Sequence, residues 1–188
     1  EEQLAFREAA RDFALGELAP QAEAWDENKI FPKETLAAAG ALGFCGMYSP
    51  QEQGGLGLSR LDSAIILEEL ASGCTSTAAF ISIHNMATWM LCNWGTPAVT
   101  EAWAESLTSG QKLCSYCLTE AGAGSDAGNL RTSAKLEGNE YVLNGSKMFI
   151  SGAGATDMLV VMARTGSIED GAKGISAFAV PADTAGIH

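Results

Sequence analysis

The chain has 188 residues, of which 47% are hydrophobic and 18% are charged. This apolar content excludes a disordered tail, because such a segment lacks the apolar surface that offsets the entropy lost on folding. The formal net charge is −12 and no basic stripe interrupts it, so we expect neither nucleic acid nor an anionic membrane surface as a partner. Five cysteines at uneven spacing predict free thiols in a reducing compartment rather than a disulfide framework.

Helical periodicity marks the first part of the chain, residues 1–111. Phe6, Ala10 and Phe13 recur at helical spacing, and Pro20 is expected to end this helix. The longest run without a charged residue, 70–100, is interrupted by Ser, Thr and Asn, which favours a buried helix over a membrane span. Further helices are predicted from Pro32 to Gly43, from Ser59 (an N-cap with Asp62 in a capping box) to Gly73, from Thr77 to Asn93 and from Pro97 to Gly110.

A different pattern follows Gly110, where short apolar stretches alternate with glycine turns. Gly138-Asn139 is typical of a tight hairpin turn. Asn144-Gly145 is a second turn signal, before the stretch Lys147–Ile150. Strands are predicted at Leu113–Leu118, Thr132–Glu137, Tyr141–Leu143, Lys147–Ile150, Met158–Ala163 and Ile175–Val180. Repeated short strands favour an antiparallel barrel or sandwich. The sequence therefore predicts an α+β chain, with an all-helical domain over residues 1–111 and an antiparallel β-barrel or sandwich domain over residues 112–188.

Three residues of possible reactivity have ordinary structural interpretations. Cys114 and Cys117 form a C-x-x-C pair, but a redox pair needs a helix N-terminus and this pair lies in a predicted strand. We interpret both as buried, inert thiols, because no second cysteine pair or nearby His completes a metal site. His84 lies on the most apolar helix without a carboxylate one turn away, which favours a packed, hydrogen-bonded histidine over a catalytic one.

The stretch from Thr119 to Ala127 is rich in small and polar residues. Gly122-Ala-Gly-Ser-Asp-Ala127 satisfies a dinucleotide-binding pattern, but too few residues follow for the helix that such a fold requires. Its backbone N–H groups, with Thr119 and Ser125, can wrap an anionic or heteroaromatic ligand, or the stretch is an ordinary long turn. Glu120 is a candidate acid or base by residue type, while the alternative is a loop carboxylate held by backbone N–H groups.

Two motifs, in this order, give the chain a family resemblance. The first is Tyr116-Cys-Leu-Thr-Glu-Ala-Gly-Ala-Gly-Ser-Asp126, and the second is Asn144-Gly-Ser-Lys-Met-Phe-Ile-Ser-Gly152. With the helical first part and the loop Gly54-Gly-Leu-Gly57, the chain resembles the acyl-CoA dehydrogenases along its whole length. Gly73-Cys-Thr-Ser-Thr-Ala78 and Ile81-Ser-Ile-His-Asn85 look most like the isobutyryl-CoA dehydrogenase branch.

The resemblance implies a helical N-terminal domain, a middle β-domain and a C-terminal four-helix domain, the last of which is expected to be missing from residues 1–188. It also implies FAD as the cofactor. In the implied reaction, a carboxylate takes the α-proton of an acyl-CoA thioester and the β-hydrogen leaves as hydride to flavin N5. An electron-transferring flavoprotein as the electron acceptor, a homotetramer, and a place in the bacterial cytoplasm or the mitochondrial matrix are further implications.

The family's two flavin motifs supply the expected site residues. Ser125 is expected to contact the substrate as well as the flavin, and the Ser151 hydroxyl is expected near N5. Ala121 stands where the family usually has Pro, and Phe149 stands where many members carry Trp. The family's catalytic glutamate lies in the C-terminal domain, so no catalytic residue and no metal ligand is assigned. The FAD-binding residues implied by the resemblance are Tyr116, Cys117, Leu118, Thr119, Glu120, Ala121, Gly122, Ala123, Gly124, Ser125, Phe149, Ile150 and Ser151.

Two other functions share the same resemblance. The first is a truncated, non-catalytic homologue that binds an acyl-CoA or a partner chain without turnover. The second keeps the fold but is an oxidase or monooxygenase. The preferred expectation is an enzyme that acts on a short, branched acyl-CoA, since the branch motifs and both flavin motifs are present.

Overall fold

Helices occupy the first part of the chain and strands the second in the computed structural model, which describes residues 2–188. Two compact units divide between Cys114 and Ser115. The helices are α1 (Glu2–Phe13), α2 (Ala22–Glu27), α3 (Lys33–Ala41), α4 (Arg60–Gly73), α5 (Thr75–Trp94) and α6 (Pro97–Thr108). The strands are β1 (Cys114–Cys117), β2 (Ser133–Glu137), β3 (Glu140–Asn144), β4 (Met158–Arg164) and β5 (Ile175–Pro181).

The apolar stripe of α1 builds one side of the helical core. It continues through a single π-helical turn, Ala14–Leu18, before Pro20, so the predicted helix is confirmed over its whole length. Ala10, Ala14 and Leu18 are each 0% exposed. The same core buries larger side chains of the other helices, among them Leu36, Ile66, Leu70 and Ile81. Each such side chain contributes roughly 1.5–3 kcal/mol to folding.

Helix α4 begins at the predicted capping box. The Asp62 backbone N–H donates to Ser59 Oγ at 3.1 Å, and the Ser59 N–H donates to Asp62 Oδ2 at 3.2 Å. Both bonds satisfy groups that the first helical turn leaves without partners, and such caps stabilise a helix by about 1 kcal/mol. The helix ends at Gly73, where an added Cβ would lie 2.6 Å from the Ala14 carbonyl oxygen. Close packing of α4 against the π turn therefore requires this glycine.

Helix α5 takes up the middle of the long uncharged run and ends before Gly95, as predicted. Polar side chains inside it, Thr77, Asn85 and Thr88, are buried in the protein. Among residues 2–188, no helix combines the length and apolar character needed to cross a membrane. The ends of the run belong to α4 and α6, so the run is divided among three helices of the first unit.

The strands of the second unit form one sheet with the order β1-β4-β2-β3, and β5 also pairs with β4. Strands β2 and β3 are an antiparallel hairpin that pairs Glu137 with Glu140 across the predicted Gly138-Asn139 turn. Strands β4 and β5 are antiparallel along their whole length. Five of the predicted strands are present among the described residues, within two residues of their predicted bounds. The sixth prediction, Lys147–Ile150, is wrong, because this stretch is an irregular segment between β3 and β4.

The prediction of a purely antiparallel barrel or sandwich needs correction, because β2 and β4 pair in parallel through Ser133 and Arg164. The sheet is therefore mixed. Residues 145–157 carry the chain from β3 to the opposite side of β2. Parallel neighbours need a long crossover of this kind rather than a tight turn. Hairpin signals in the sequence report only local antiparallel pairs, so they do not reveal it.

Candidate functional site

Two segments of the sheet-rich unit meet beside the end of β1. We call residues 121–130 the glycine loop and residues 147–151 the aromatic segment. The glycine loop leaves β1 through a tight turn in which Glu120 and Ala123 exchange two backbone hydrogen bonds, each of 3.1 Å. Ala121 and Gly122 are therefore exposed, while Ala123 is buried.

The glycine loop presents free space and free donors. A Cβ added at Gly122 or at Gly124 would meet no atom within 4 Å. The backbone N–H groups of Gly122, Gly124 and Ser125 and the Ser125 hydroxyl form no hydrogen bond with any residue in the range 2–188. Gly122, Gly124 and Ser125 are exposed, so these donors face outward from the chain. Successive backbone N–H groups of this kind are available to a ligand with acceptor atoms.

The Glu120 carboxylate closes the base of the glycine loop. It accepts hydrogen bonds from the backbone N–H groups of Arg131 at 2.7 Å and Thr132 at 2.9 Å, and from Lys147 Nζ at 2.8 Å. The carboxylate and the ammonium side chains are each only 10% exposed. Burial raises the pKa of Glu120, but hydrogen bonds from Lys147, Thr132 and Arg131 outweigh it and lower the pKa to about 2. The structure thus confirms a loop carboxylate held by backbone N–H groups.

The same lysine ties the aromatic segment to the strand that precedes the glycine loop. Lys147 Nζ also donates to the Leu118 carbonyl oxygen at 3.0 Å, and the Met148 N–H donates to the Thr119 carbonyl oxygen at 2.8 Å. On the far side, Ser115 Oγ donates to the Ser151 carbonyl oxygen at 2.7 Å. Hydrogen bonds thus hold the second motif on both sides of Phe149, to the first motif on one side and to Ser115 of β1 on the other.

Phe149 has a left-handed backbone conformation, with φ of +57°, and its side chain is 87% exposed. A left-handed conformation costs a non-glycine residue roughly 1–2 kcal/mol, and an exposed aromatic ring gains nothing from burial. Strain of this kind persists only where the surrounding structure enforces it, and it is concentrated at functional sites. Here the anchors at Met148 and Ser151 enforce it.

The remaining predicted residues lie around these two segments. Cys117 is buried, and Leu118 and Thr119 are half-buried at the end of β1. Burial raises the pKa of the half-buried Tyr116. Ile150 and Ser151 are half-buried, and their backbone N–H groups form no hydrogen bond with the residues described. The structure therefore brings the residues of both predicted motifs into one neighbourhood.

His84 and the C-x-x-C pair are not reactive groups. His84 is 0% exposed, and its Nδ1 accepts the Cys114 N–H at 3.0 Å while Nε2 donates to the Leu107 carbonyl oxygen at 2.9 Å. Burial lowers its pKa to about 4. The thiols of Cys114 and Cys117 are buried, and burial raises the pKa of Cys117 to about 11. Residues 2–188 contain no cluster of His, Cys, Asp and Glu suited to a metal ion.

Sequence reasoning missed the roles of Lys147 and Ser115. Lys147 lies 27 positions from Glu120, and Ser115 lies 36 positions from Ser151. No local pattern predicts contacts over such separations. The one available signal was that Lys147 lies inside the second motif, two residues before Phe149, without an acidic neighbour in the sequence.

Comparisons with known proteins match both units. A family model for the N-terminal domain of acyl-CoA dehydrogenases matches residues 1–111, and one for the middle domain matches residues 115–188. The mitochondrial isobutyryl-CoA dehydrogenase of Dictyostelium discoideum is 49% identical over 187 residues, which cover 100% of this chain and 45% of that protein.

Solved structures match over a similar span. Butyryl-CoA dehydrogenase from Megasphaera elsdenii has a TM-score of 0.89 and 34% identity over 98% of this chain and 49% of its own. A glutaryl-CoA dehydrogenase from Mycobacterium smegmatis, solved in complex with FADH2, has a TM-score of 0.90 and 28% identity over 99% of this chain and 47% of its own. The chain thus spans about half the length of these relatives.

Proposed function

Because the chain belongs to the acyl-CoA dehydrogenase family, we propose that the protein is an FAD-dependent dehydrogenase that acts on a short, branched acyl-CoA thioester. The observation that carries the cofactor assignment is the pairing of free N–H donors on the glycine loop with a strained, exposed Phe149. A flat heteroaromatic ring with acceptor atoms on its edge satisfies both. The solved relative that holds FADH2 supports this assignment.

Particular residues of this chain would hold the flavin. The N–H groups of Gly122, Gly124 and Ser125 would donate to its polar edge, and fixed donors of this kind favour the negative charge that develops on the ring during reduction. The Phe149 ring would cover apolar surface of the flavin and exclude water there. Bound FAD supplies a two-electron acceptor for the hydrogen that leaves the β-carbon of the acyl group.

The glycine loop also supplies the residue that we assign to the substrate. We assign the Ser125 hydroxyl to the acyl-CoA as well as to the flavin. The similarity to an isobutyryl-CoA dehydrogenase supports a short, branched acyl group. Glu120 is ionised and committed to three donors, so we assign it no part in removing the α-proton and name no catalytic base among residues 2–188.

The organisation of the whole protein follows from the family. We assign residues 1–111 and 112–188 to its helical and middle β-domains, and the matched ranges of the family models support these bounds. A four-helix domain would complete each subunit of a homotetramer. An electron-transferring flavoprotein would reoxidise the flavin, in the mitochondrial matrix of a eukaryote or the cytoplasm of a bacterium.

Anaerobic titration of the full-length protein tests this proposal. Purified protein is expected to release FAD on denaturation, and isobutyryl-CoA is expected to bleach its visible flavin absorption. Ser125→Ala is expected to raise the KM for isobutyryl-CoA, while Ser72→Ala, which alters an exposed serine of helix α4, leaves it unchanged. A colourless protein would contradict the cofactor assignment. Binding of isobutyryl-CoA without bleaching would instead favour a non-catalytic acyl-CoA-binding homologue.

A further inference from the structure

Arg164, the last residue of β4, has hydrogen-bond partners that neither motif predicts. Its guanidinium group donates to four backbone carbonyl oxygens, those of Gly128 at 2.6 Å, Leu130 at 3.0 Å, Ser167 at 2.8 Å and Gly171 at 3.0 Å. The side chain is half-buried, and it makes no ion pair within 4.0 Å with the residues described. All four hydrogen bonds of this cation therefore go to the main chain, and Glu169 adds a charge interaction without a close ion pair.

Two of these carbonyls belong to the second half of the glycine loop. Gly128 and Leu130 follow Ser125 by three and five positions, and between them Asn129 is bonded back to Asp126 through its side chain and its N–H. The other two carbonyls belong to the turn that joins β4 to β5. Arg164 thus holds two loops to the end of a strand. Glu120 closes the glycine loop at its base, and Arg164 holds it at the other end.

The residue type suits this task. Arginine presents five N–H donors in a rigid planar fork, whereas lysine is a single flexible point charge. The other anchors of the glycine loop are mostly within it or next to it, namely the turn between Glu120 and Ala123, the bonds between Asp126 and Asn129, and the buried Leu130. Chains of small residues lose much conformational freedom when they are ordered. Without Arg164, the loop would lose this conformational freedom only when the ligand binds, and the affinity would be lower.

We propose that Arg164 is a positioning residue, which orders the glycine loop in advance so that the donors at Gly122, Gly124 and Ser125 face the flavin and the acyl-CoA. This inference rests on the proposed function. If the glycine loop is already ordered in the free protein, ligand binding does not have to pay the entropy of ordering it, so the affinity is higher. Arg164 itself touches neither ligand in this role and acts only through the loop.

The test compares variants of the full-length protein after removal of FAD. Arg164→Met is expected to weaken FAD binding about tenfold, a loss of about 1.4 kcal/mol. Arg164→Lys is expected to recover part of that loss, since it keeps a charged donor without the fork. The matched control is Lys135→Met, which removes an exposed positive charge from β2. FAD affinity is measured by fluorescence titration and is expressed per folded molecule.

Two further readouts separate positioning from simple structural support. The KM for isobutyryl-CoA in Arg164→Met is expected to rise severalfold more than kcat falls, because the loop that binds is disordered while bound complexes react normally. Thermal unfolding of the FAD-free variants reports stability alone. Equal FAD affinity in Arg164→Met and Lys135→Met, with only a lower melting temperature in the former, would overturn the inference. If Arg164→Met does not fold, FAD affinity, KM and melting temperature are compared between Arg164→Lys and wild type, and the same outcomes decide the question. A wild-type protein that binds no FAD would instead remove the proposed function.

Discussion

A buried histidine of the helical unit and a largely buried carboxylate of the sheet-rich unit are held in different charge states. In the helical unit, His84 is fully enclosed and both ring nitrogens have backbone partners. Its lowered pKa of about 4 keeps it neutral near pH 7. In the sheet-rich unit, Glu120 is ionised beside Lys147, with a pKa lowered to about 2.

The two groups differ in what their hydrogen bonds hold together: those of His84 lie within the helical core, and those of Glu120 lie in the candidate site. The bonds of His84 leave no polar atom of its ring for a ligand, so its role ends with packing. The bonds of Glu120 instead fix two segments whose own N–H groups are unpaired among the described residues. A buried charge is expensive to enclose, and here it organises a binding surface rather than the core.

The largest expected effect comes from breaking the ion pair. Lys147→Met leaves the Glu120 carboxylate buried without its cation, which typically costs 3–5 kcal/mol. We expect the free energy of unfolding to fall by about 4 kcal/mol, and FAD affinity to fall with it. Urea unfolding and FAD titration measure the two effects. Lys135→Met, at an exposed lysine of the same unit, is the control, and equal stability of the two variants would show that the pair contributes nothing.

The pH dependence of stability is expected to report His84. An unfolded histidine has a pKa of about 6.5, while the folded value is about 4, so the unfolded state binds more protons between these pH values. The stabilisation is complete above pH 6.5 and is lost as the pH falls toward 4, by up to about 3 kcal/mol.

The histidine contribution is obtained by difference, because carboxylates also titrate in this range. Urea unfolding followed by far-ultraviolet circular dichroism is measured from pH 7 to pH 4 for wild type, His84→Gln and His188→Gln. His84→Gln is expected to remove this part of the pH dependence, and His188→Gln, which alters an exposed histidine, is expected to keep it. The opposite pattern would refute the assignment.

The smallest expected effect concerns backbone strain at Phe149. Glycine normally destabilises a folded chain relative to alanine, but at a φ of +57° the alanine keeps the left-handed strain and glycine removes it. Phe149→Gly is therefore expected to be about 1 kcal/mol more stable than Phe149→Ala. Both are expected to bind FAD equally weakly, because both lack the ring. A glycine variant less stable than the alanine variant would show that the conformation carries no strain.

Local chemistry made much of the fold predictable. The capping box of Ser59 and Asp62 and the Gly138-Asn139 hairpin turn each depend on residues close in sequence, and both are found. The short helix α2 was not predicted, because it has no buried residue and so lacks the apolar periodicity that marks a helix in the sequence. The parallel pairing of β2 with β4 depends on a crossover that no turn motif marks.

In the candidate site too, features that depend on neighbouring residues were predictable and features that depend on distant residues were not. Glycine and hydroxyl residues of the first motif indicated a ligand-binding loop, and Glu120 was correctly interpreted as a carboxylate held by backbone N–H groups. The partner of that carboxylate, Lys147, and the fork of Arg164 lie too far along the chain for sequence spacing to reveal. The left-handed backbone at Phe149 is imposed by anchors on both sides, because phenylalanine itself disfavours it.

The empty space around Gly122 and Gly124 has an evolutionary consequence. Neither glycine has a positive φ, and a methyl group at either position would touch nothing in the chain. Packing within residues 2–188 therefore does not require glycine at these two positions, and a side chain there would be penalised only by something outside that range, such as the flavin proposed above. A descendant that had lost flavin binding would accumulate larger residues at both positions without loss of packing among residues 2–188.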